Sequence, residues 1–440
     1  MNKKATTDRQ IVNHTSTGTE GTIQTSSQIS RRRFLGDGTS LLGAAALAGT
    51  LPRSTFAVDT APKKVRIGIV GGSFGLSFQW HLHPDCIVQA VSDLRPERRQ
   101  RLMQTYKCDK AYNSLEEMVL DKNIDAIGLF TEGPNHVKHT RLAMKHGKHV
   151  ISAVPACWAT VDEAHELLDI VKQSGLTYMM AETSYYQQKT ISARKFYEEG
   201  VFGEIHYCES DYPHDGLEAL YYENGKRTWR HGVAPMHYPT HNTAHLIGIT
   251  GERLTEVTCH GWGDDHPICK DNIYNNPFWN ETATFRTNKG HPFVVRVWWR
   301  CASLHGVRAE WHGTKMSFRA PAMNTPHHNG LDNYWIISRS NQTTKDAGGF
   351  VVNLPHYGRY EQPKWYETDM LPEPLRTLGD TGHEGSHAFL THEFIDALVH
   401  NRKPAVDVYE ALAYTVPGII AHESALKGGE RLTIPQFDPA

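Results

Sequence analysis

The feature that most constrains the fold is a short strand pattern that runs directly into glycines. Residues 65–70 read Val-Arg-Ile-Gly-Ile-Val, and Gly71, Gly72, Ser73, Phe74 and Gly75 follow. A β-branched run that ends in glycines is typical of a buried strand leading through a tight turn to a helix N-terminus. Such a turn lets a pyrophosphate approach main-chain N–H groups because no Cβ intervenes. The stretch therefore predicts a dinucleotide-binding loop. An ordinary strand turn is the alternative, because the G-x-G-x-x-G spacing is met only approximately.

An acidic residue stands where recognition of a ribose requires one. Asp93 follows a second predicted strand, residues 87–92, about twenty positions after the glycines. Its carboxylate would accept hydrogen bonds from the adenosine ribose and repel a 2′-phosphate, which favours NAD. Arg95 and Arg98 keep NADP possible. The alternative role for Asp93 is to cap the helix that begins near Pro96.

The first 57 residues are predicted to be an export signal. Residues 30–35, Ser-Arg-Arg-Arg-Phe-Leu, precede a short apolar run at 41–48 and a small-residue cleavage site at 55–57. This resembles a twin-arginine signal, so we expect export to the periplasm or cell envelope; a disordered basic tail is the alternative. The apolar run is too short to be a stable span. No later segment approaches about eighteen apolar residues, so we expect no membrane span after signal removal.

The composition of the remaining chain excludes several classes of protein. Removing residues 1–57 leaves 39 Lys and Arg against 45 Asp and Glu, a net charge near −6, so nucleic acid is not an expected partner. The seven cysteines are scattered and show no C-x-x-C spacing, which argues against a disulfide framework or a zinc cluster. Cys259 and Cys269 could still pair in an oxidising compartment.

The order of predicted elements indicates two domains. Strand and helix patterns alternate from residue 65 to about 181, which predicts a doubly wound parallel sheet, a Rossmann domain at residues 58–183. Longer strands and two closing helices then predict an α+β domain at residues 184–440, with a large open, mostly antiparallel sheet. We therefore expect an α/β protein. Residues 320–379 give no clear element.

These motifs resemble the Gfo/Idh/MocA family, named for glucose-fructose oxidoreductase and inositol dehydrogenase. The resemblance rests on the glycine loop, Asp93, residues 131–136, residues 147–150 (Gly-Lys-His-Val) and residues 202–205 (Phe-Gly-Glu-Ile). It implies an NAD(P)-dependent oxidoreductase that acts on a hydroxyl or ketone of a sugar or cyclitol. It also implies that further residues contact the cofactor, namely Thr131, Glu132, His136 and Pro155.

The chain departs from this family at the catalytic lysine. Where the family carries Glu-Lys-Pro, this chain has Ala153-Val154-Pro155. A valine can neither lower the pKa of a hydroxyl nor shuttle its proton. The resemblance therefore does not carry over an ordinary alcohol dehydrogenase mechanism.

A histidine-rich segment is the predicted catalytic element. The family signature Asp-x-x-x-His falls on residues 237–241, His-Tyr-Pro-Thr-His, with His237 in place of the aspartate. The resemblance implies that His241 is the general base, assisted by His237 or Tyr238. His245 would share the helix face of His241 and is predicted to be a core or capping residue.

A metal site is the alternative use of these histidines. Glu182, His237 and His241, together with His214-Asp215, could hold a divalent metal, which would indicate a carbohydrate lyase, isomerase or hydrolase in which redox is transient or lost. The H-E-x-x-H match at residues 383–387 is not predicted to bind zinc, because Gly385 and a Ser386 N-cap place its first half outside a helix. A non-catalytic nucleotide- or carbohydrate-binding protein is the second alternative.

We expect a small carbohydrate or polyol substrate and a homo-oligomer formed through the C-terminal sheet. Polar side chains near the predicted cleft support the substrate class: His214, Asp215, Asn272, Asn275 and Asn280. A set of aromatic residues could stack on sugar rings, pack the sheet or form a subunit interface: Tyr221, Tyr222, Trp229, Trp298, Trp299 and Trp311. Since NAD is a cytoplasmic metabolite, an exported protein would have to keep it bound and restore its oxidation state in each turnover.

Overall fold

The computed structural model describes residues 64–302, 306–320, 334–345, 351–360, 368–379 and 381–439. They belong to one compact unit that contains a parallel sheet followed by a larger mixed sheet. The predicted export signal, residues 1–57, lies outside the described residues. No helix among the described residues is long and apolar enough to cross a membrane.

The first sheet has six parallel strands in the order β3-β2-β1-β4-β5-β6. Its strands are β1 (Val65–Val70), β2 (Cys86–Ser92), β3 (Ala111–Tyr112), β4 (Ala126–Leu129), β5 (His149–Ser152) and β6 (Tyr178–Met180). The helices between them are α1 (Pro96–Tyr106), α2 (Leu115–Met118), α3 (His136–Lys145) and α4 (Val161–Ser174). The strand order reverses between β1 and β4, and ligands of such sheets bind at this reversal. The predicted doubly wound sheet is confirmed.

Local signals fix the ends of these elements. At the start of α4, the Thr160 hydroxyl accepts a hydrogen bond from the Glu163 amide at 3.2 Å, and Gly175 ends the helix with φ +65°. Ile67 and Ile69 in β1 are fully buried, as expected of a strand covered on both faces. Capping residues that are visible in the sequence therefore account for both ends of α4.

The helix predicted directly after the glycine loop is wrong. Two short 3-10 turns, Phe74–Ser77 and Trp80–Leu82, occupy this segment. Phe78 and Trp80 are almost completely buried, and the Phe78 ring stacks on Phe130 with centroids 4.5 Å apart. Burial of these aromatic side chains within a short connection from β1 to β2 prevents a regular helix. The N–H groups of the glycine loop are therefore not followed by a full helix whose dipole would add to their attraction for an anion.

The second sheet has nine strands in the order β16-β15-β14-β13-β7-β12-β11-β10-β17. They are β7 (Ile205–Pro213), β10 (Leu254–Trp262), β11 (Asn280–Thr287), β12 (Pro292–Trp298), β13 (Arg308–Gly313), β14 (Met316–Ala320), β15 (Tyr334–Lys345), β16 (Val351–Tyr360) and β17 (Leu432–Thr433). A separate hairpin joins β8 (Tyr222–Glu223) to β9 (Lys226–Arg227). Only β7 and β12 pair in parallel among these described strands, so the predicted large, mostly antiparallel sheet is confirmed.

Helices cover one face of the second sheet. They are α6 (Thr240–Thr250) and α8 (Val408–Leu426), whereas α5 (Gln188–Glu198) packs against α6, and α7 (Ser386–Val399) contacts β1 of the first sheet. Trp311 is fully buried beneath α6, and its indole N–H donates to the His245 carbonyl at 2.7 Å. The Trp311 ring also stacks on Phe318. This tryptophan of the predicted aromatic set therefore packs the core.

The opposite face carries a ladder of paired charges on neighbouring strands. Its members are Glu209, Asp211, Arg296, Arg308, Glu310 and Arg319. Arg296 donates to Glu209 at 3.0 Å and to Asp211 at 2.6 Å. Burial alone would raise the pKa of Glu209, but the hydrogen bonds and charge of Arg296 lower it to about 2. These pairs allow charged side chains to lie half-buried on the sheet.

All seven cysteines are free, and the possible pairing of Cys259 with Cys269 is not observed. Cys259 is buried in β10, whereas Cys269 ends the short turn Pro267–Cys269. Burial raises the pKa of the Cys259 thiol, which keeps it protonated and unreactive.

Candidate active site

A cavity of about 200 Å³ lies where the carboxyl ends of the parallel strands face the second sheet. The residues of its wall that precede the second sheet are Phe74, Phe130, Thr131, Gly133, Ala153, Val154 and Thr183. The rest of the wall consists of Tyr212, His214, Leu217, Leu220, Trp229, Arg230, Tyr238, His241, Trp299 and His383. The cavity therefore combines the predicted catalytic segment with the strand ends at which a dinucleotide would bind.

His241 of this wall forms a buried pair with the carboxylate of Glu182. His241 Nδ1 lies 2.7 Å from Glu182 Oε1, and the same oxygen accepts the Ser184 amide at 2.8 Å. Burial opposes ionisation of Glu182, but the charge of His241 and these hydrogen bonds outweigh it, so the pKa of Glu182 lies below its ordinary value. The ionised carboxylate holds the proton on His241 Nδ1. His241 Nε2 is then the nitrogen that can accept a proton.

The structure places His237 away from the cavity. It ends the turn Pro235–His237, and its ring centroid lies 4.9 Å from that of His422. The carboxylate of Glu281 holds this region: it accepts the Met236 amide at 2.7 Å and lies 2.8 Å from His422 Nδ1. Burial, reinforced by the charge of His422, lowers the pKa of His237 to about 3, so its imidazole is neutral. His237 therefore supports the segment that delivers Tyr238 to the cavity.

The predicted alternative of a metal bound by Glu182, His237 and His241 finds no matching arrangement. Throughout the described ranges, no group of three or more His, Cys, Asp or Glu side chains could hold a metal ion. The three side chains do not converge on one point, because His237 packs against His422 whereas Glu182 is hydrogen-bonded to His241. Asp215 is also committed elsewhere, since its carboxylate accepts the Cys301 amide at 3.0 Å.

Buried histidines predict a loss of stability in acid. The unfolded chain protonates His237 near its ordinary pKa of 6.5, whereas the folded protein does so only near 3. Between these values unfolding takes up a proton, so the free energy of unfolding should fall as the pH is lowered, by up to about 1.4 kcal/mol per pH unit for this residue. Urea denaturation at several pH values from 7 to 4, on the wild type and on His237→Asn, would measure the slope. Equal slopes for the two proteins would contradict the prediction.

The glycine loop and Asp93 have the geometry that a dinucleotide needs. Gly71 has φ +104°, and a Cβ there would lie 2.2 Å from the Phe130 carbonyl oxygen. The Asp93 carboxylate accepts the Gly72 amide at 2.6 Å and the Arg95 amide at 2.8 Å, which fixes it beside the loop. Asp93 does not cap α1, because Arg95 is the N-cap residue and no side chain caps that helix. These residues fit a nicotinamide dinucleotide.

The structure places the other residues predicted to contact the cofactor at different points around the ends of the strands. Thr131 lines the cavity, but Glu132 is exposed and lies outside the wall. His136 is buried with its two ring nitrogens 2.7 Å from the Pro155 carbonyl and 3.2 Å from the Thr131 carbonyl. His136 therefore ties the ends of two strands together, while Val154, next to Pro155, reaches the cavity.

Several residues of the wall were not predicted from the sequence. Of the polar set predicted near the cleft, His214 lines the cavity, whereas Asn272 braces its own loop through the Ile268 and Asn276 carbonyls. Arg230 lies 4.0 Å above the Trp229 ring and 5.8 Å from that of Tyr238. His383 belongs to the H-E-x-x-H match, and helix α7 begins only at Ser386. The glycines on both sides of His383-Glu384 were the signal that could have indicated a turn at the site.

Comparisons with known proteins bear on the fold and on its cofactor. Residues 65–182 match the GFO_IDH_MocA family model, described as an oxidoreductase family with an NAD-binding Rossmann fold. This match agrees with the resemblance over the parallel sheet and supports a nicotinamide cofactor as the ligand of that sheet. Over 423 residues the chain is 23% identical to a glycosyl hydrolase family 109 protein of Streptomyces coelicolor, covering 87% of this chain and 84% of that protein.

A further relative and two solved structures carry the names of enzymes that act on carbohydrates. An alpha-N-acetylgalactosaminidase of Tannerella forsythia is 23% identical over 358 residues, covering 73% of this chain and 72% of that protein. Levoglucosan dehydrogenase in complex with NADH and levoglucosan has a TM-score of 0.65 at 17% identity, covering 85% of this chain and 100% of that chain. The scyllo-inositol dehydrogenase of Lactobacillus casei with NAD(H) and scyllo-inositol has a TM-score of 0.61 at 16% identity, covering 84% and 99%. These two structures share the fold of this chain.

Proposed function

We propose that this protein cleaves a glycosidic bond through transient oxidation of the sugar by a tightly bound NAD. The observation that carries the proposal is the buried pair formed by His241 and Glu182. His241 lines the same cavity as the uncharged Val154, at the carboxyl end of the sheet that matches an NAD-binding family. The relatives named as glycosyl hydrolases support cleavage, and the dehydrogenases of the same fold support oxidation. Both kinds of chemistry occur in one enzyme when redox is an internal step.

The histidine–carboxylate pair supplies the proton acceptor that Val154 cannot. Glu182 holds the proton on His241 Nδ1 at 2.7 Å, so Nε2 accepts the proton of a substrate hydroxyl. The chemistry that a bound nicotinamide would supply is reversible acceptance of two electrons and a hydrogen from the carbon that bears this hydroxyl. His241 later returns its proton to the same oxygen when the ketone is reduced. The pair therefore begins and ends each cycle in one protonation state.

The ketone makes cleavage of the adjacent bond possible. A carbonyl acidifies the neighbouring C–H, so that proton can be removed and the glycosidic C–O bond can break by elimination. Addition of water to the resulting double bond and reduction of the ketone complete a net hydrolysis. No cofactor is consumed, which suits a protein that carries an export motif and could not exchange its NAD outside the cytoplasm.

The aromatic wall supports a sugar as the substrate. Tyr212, Trp229 and Trp299 line the cavity, and aromatic faces pack against the apolar faces of sugar rings. Arg230 stacks on Trp229 at 4.0 Å, which presents a rigid set of N–H donors at the same wall. By analogy with the relative named as an alpha-N-acetylgalactosaminidase, an N-acetylgalactosaminide is the first substrate to test.

The test begins with the nucleotide that the protein already carries. The full chain is purified without added cofactor, denatured, and the released nucleotide is identified by mass. A panel of nitrophenyl glycosides, starting with the N-acetyl-α-galactosaminide, is then assayed in buffered deuterium oxide without added NAD. We expect release of nitrophenol, deuterium at the carbon next to the oxidised position, and no net accumulation of NADH. Accumulation of NADH in step with sugar oxidation would instead establish a dehydrogenase, the second candidate.

We also propose that NAD is preferred over NADP. Arg95 and Arg98, which could bind a 2′-phosphate, both face Glu223 of the β8–β9 hairpin. Arg95 forms a two-pronged ion pair with Glu223, and Arg98 Nη2 lies 3.6 Å from the same carboxylate. A 2′-phosphate would meet two carboxylates, Asp93 and Glu223, and would have to displace Glu223 from Arg95.

Replacing Glu223 with glutamine should therefore weaken the discrimination. In Glu223→Gln the two arginines lose their anionic partner, and we expect the ratio of the NADP and NAD dissociation constants to fall by about tenfold. Calorimetric titration of the stripped protein with each nucleotide measures this ratio. The matched control is Glu218→Gln, which changes an exposed carboxylate on the neighbouring turn Leu217–Leu220. An unchanged ratio in Glu223→Gln would refute the assignment.

Export remains part of the proposal because residues 30–35 carry the twin-arginine motif. Export of an already folded protein would allow NAD to be inserted in the cytoplasm and retained. Fractionation of cells that make the full chain, compared with the Arg31→Lys, Arg32→Lys double variant, tests this step. Equal distribution of the two proteins would argue against export by this route.

A further inference from the structure

The turn that brings His383 to the cavity has an unfavourable backbone. Four successive residues have positive φ: Gly382 at +102°, His383 at +44°, Glu384 at +59° and Gly385 at +84°. Residues other than glycine visit this region at a cost in free energy and seldom in succession. Such conformations persist where the surrounding structure determines them, and they concentrate at functional sites.

A buried ion pair helps to hold the turn. Lys189 in α5 is fully buried, and its ammonium lies 3.1 Å from Glu384 Oε1 while donating to the Val307 carbonyl at 2.5 Å. The Thr381 hydroxyl donates to the Gly385 carbonyl at 2.9 Å and accepts the Ala388 amide at 3.1 Å. The ion pair of Glu384 and the hydrogen bonds of Thr381 therefore stabilise the turn on both sides of His383 and fix the position of that residue.

A chain of hydrogen bonds determines the tautomer of His383. His387 Nδ1 lies 3.0 Å from the Ser77 carbonyl, which can only accept, so this nitrogen carries the proton. In the neutral His387 ring, Nε2 is then an acceptor, and His383 Nδ1 donates to it at 2.9 Å. The neutral His383 ring therefore has its lone pair on Nε2. These assignments follow from the hydrogen-bond partners.

We infer that His383 is a second catalytic residue, the base that removes the proton from the carbon next to the transient ketone. The inference rests on the proposed function, which needs two separate proton acceptors. His241 accepts the hydroxyl proton during oxidation and holds it until the ketone is reduced. A different group must then act on the C–H bond, and His383 lines the same cavity from a separate element.

His383 couples removal of the C–H proton to departure of the alcohol. The C–H bond next to the carbonyl breaks, its proton moves to His383 Nε2, and its electron pair forms a carbon–carbon double bond. The glycosidic C–O bond breaks with its electrons on the leaving oxygen, which takes the proton from His383 and departs as an alcohol. Water then adds across the double bond: its oxygen bonds to the anomeric carbon, and one of its protons returns through His383 to the neighbouring carbon.

The main test separates oxidation from C–H cleavage. His383→Asn is compared with the wild type in deuterium oxide, with three measurements: the nucleotide released on denaturation, the absorbance change of the bound nicotinamide on mixing with substrate, and deuterium incorporation into the sugar. We expect His383→Asn to keep its nucleotide and the absorbance change. Deuterium incorporation and bond cleavage should be slower by about 100-fold or more.

Each contrary result has a distinct meaning. Deuterium incorporation at the wild-type rate would overturn the assignment of His383 as the base. Loss of the bound nucleotide from His383→Asn would also overturn it and make His383 a cofactor-binding residue. Absence of any nicotinamide absorbance change in the wild type would overturn the proposed function itself, and the base assignment with it.

A second pair of variants tests the relay without touching the proposed base. In His387→Gln the amide can still donate to Ser77 and accept from His383, whereas His387→Phe removes both bonds. We expect deuterium incorporation near the wild-type rate in the first variant and a loss of about tenfold or more in the second. Nitrogen-15 spectra of histidine-labelled protein should place the lone pair of His383 on Nε2 in the wild type and in His387→Gln. The same rates in both variants would show that the relay has no role in positioning His383.

Discussion

Replacement of His241 by alanine is expected to lower the rate of glycoside cleavage by about 100-fold or more, because general-base catalysis typically contributes that much. The variant loses the imidazole whose Nδ1 is held 2.7 Å from Glu182, and no lysine at position 154 can take over the proton. Mixing the nucleotide-loaded protein with substrate in a stopped-flow spectrometer should show that the absorbance change of the nicotinamide is itself slowed. This distinguishes His241 from a residue that acts after oxidation.

Glu182→Gln is the companion variant for this measurement. It keeps the shape of the carboxylate but removes the charge that favours a proton on His241 Nδ1, so an intermediate loss of rate is expected. Thermal unfolding and the content of bound nucleotide should be measured for both variants, since Glu182 and His241 are buried. A folded, nucleotide-bound His241→Ala protein that oxidises substrate within a few-fold of the wild-type rate would eliminate the base assignment.

Replacement of Gly71 by alanine is expected to abolish tight nucleotide binding. The new Cβ would lie 2.2 Å from the Phe130 carbonyl oxygen, at a residue whose φ of +104° is unfavourable for any side chain. The loop has to move away from β4, so we expect the affinity for NAD to fall by about 100-fold or more, on the scale of several lost hydrogen bonds to a charged group. Titration of the stripped protein with NAD measures the loss.

Gly147→Ala provides a matched control for the strain alone. Gly147 also has a positive φ, +74°, but a Cβ there would have nothing within 4 Å. The Gly147→Ala variant should therefore lose about 1 kcal/mol of stability, because alanine is strained in this backbone conformation, and it should keep its affinity for NAD. If the Gly71→Ala and Gly147→Ala variants were equally stable and bound NAD equally well, the close approach of Gly71 to the Phe130 carbonyl would not matter for NAD binding.

The parallel sheet could be predicted because its signals are local. The run from Val65 to Val70, the glycines after it and the spacing to Asp93 are read within about thirty residues, and the structure places Asp93 Oδ2 2.6 Å from the Gly72 amide. The helix after the loop was predicted wrongly because Phe78 and Trp80 are buried by tertiary contacts that no local pattern reveals. Periodicity identifies elements, but burial of large aromatic side chains overrides it.

The site was less accessible to sequence reasoning because its parts come from distant segments. Glu182 and His241 were both recognised, yet their pairing joins residues 59 positions apart and changes the role of Glu182 from possible metal ligand to partner of a histidine. His383 was considered only as half of a zinc motif. Its place in the cavity depends on Lys189, which lies 195 positions away from Glu384, and no spacing rule connects two such residues.

The parallel pairing of β7 with β12 has a consequence for how the protein is made. Cys208 in β7 lies opposite Phe293 in β12 and opposite Trp311 in β13, so both neighbours of this central strand are synthesised at least 85 residues after it. Pairing over such separations is slow, and an unpaired strand edge invites association with other chains. At the other end of the sheet, β10 acquires its outer neighbour only with Leu432–Thr433. The second sheet can therefore be completed only after Leu432–Thr433 have been made, and until β12 and β13 follow, β7 has to be kept from pairing with other chains.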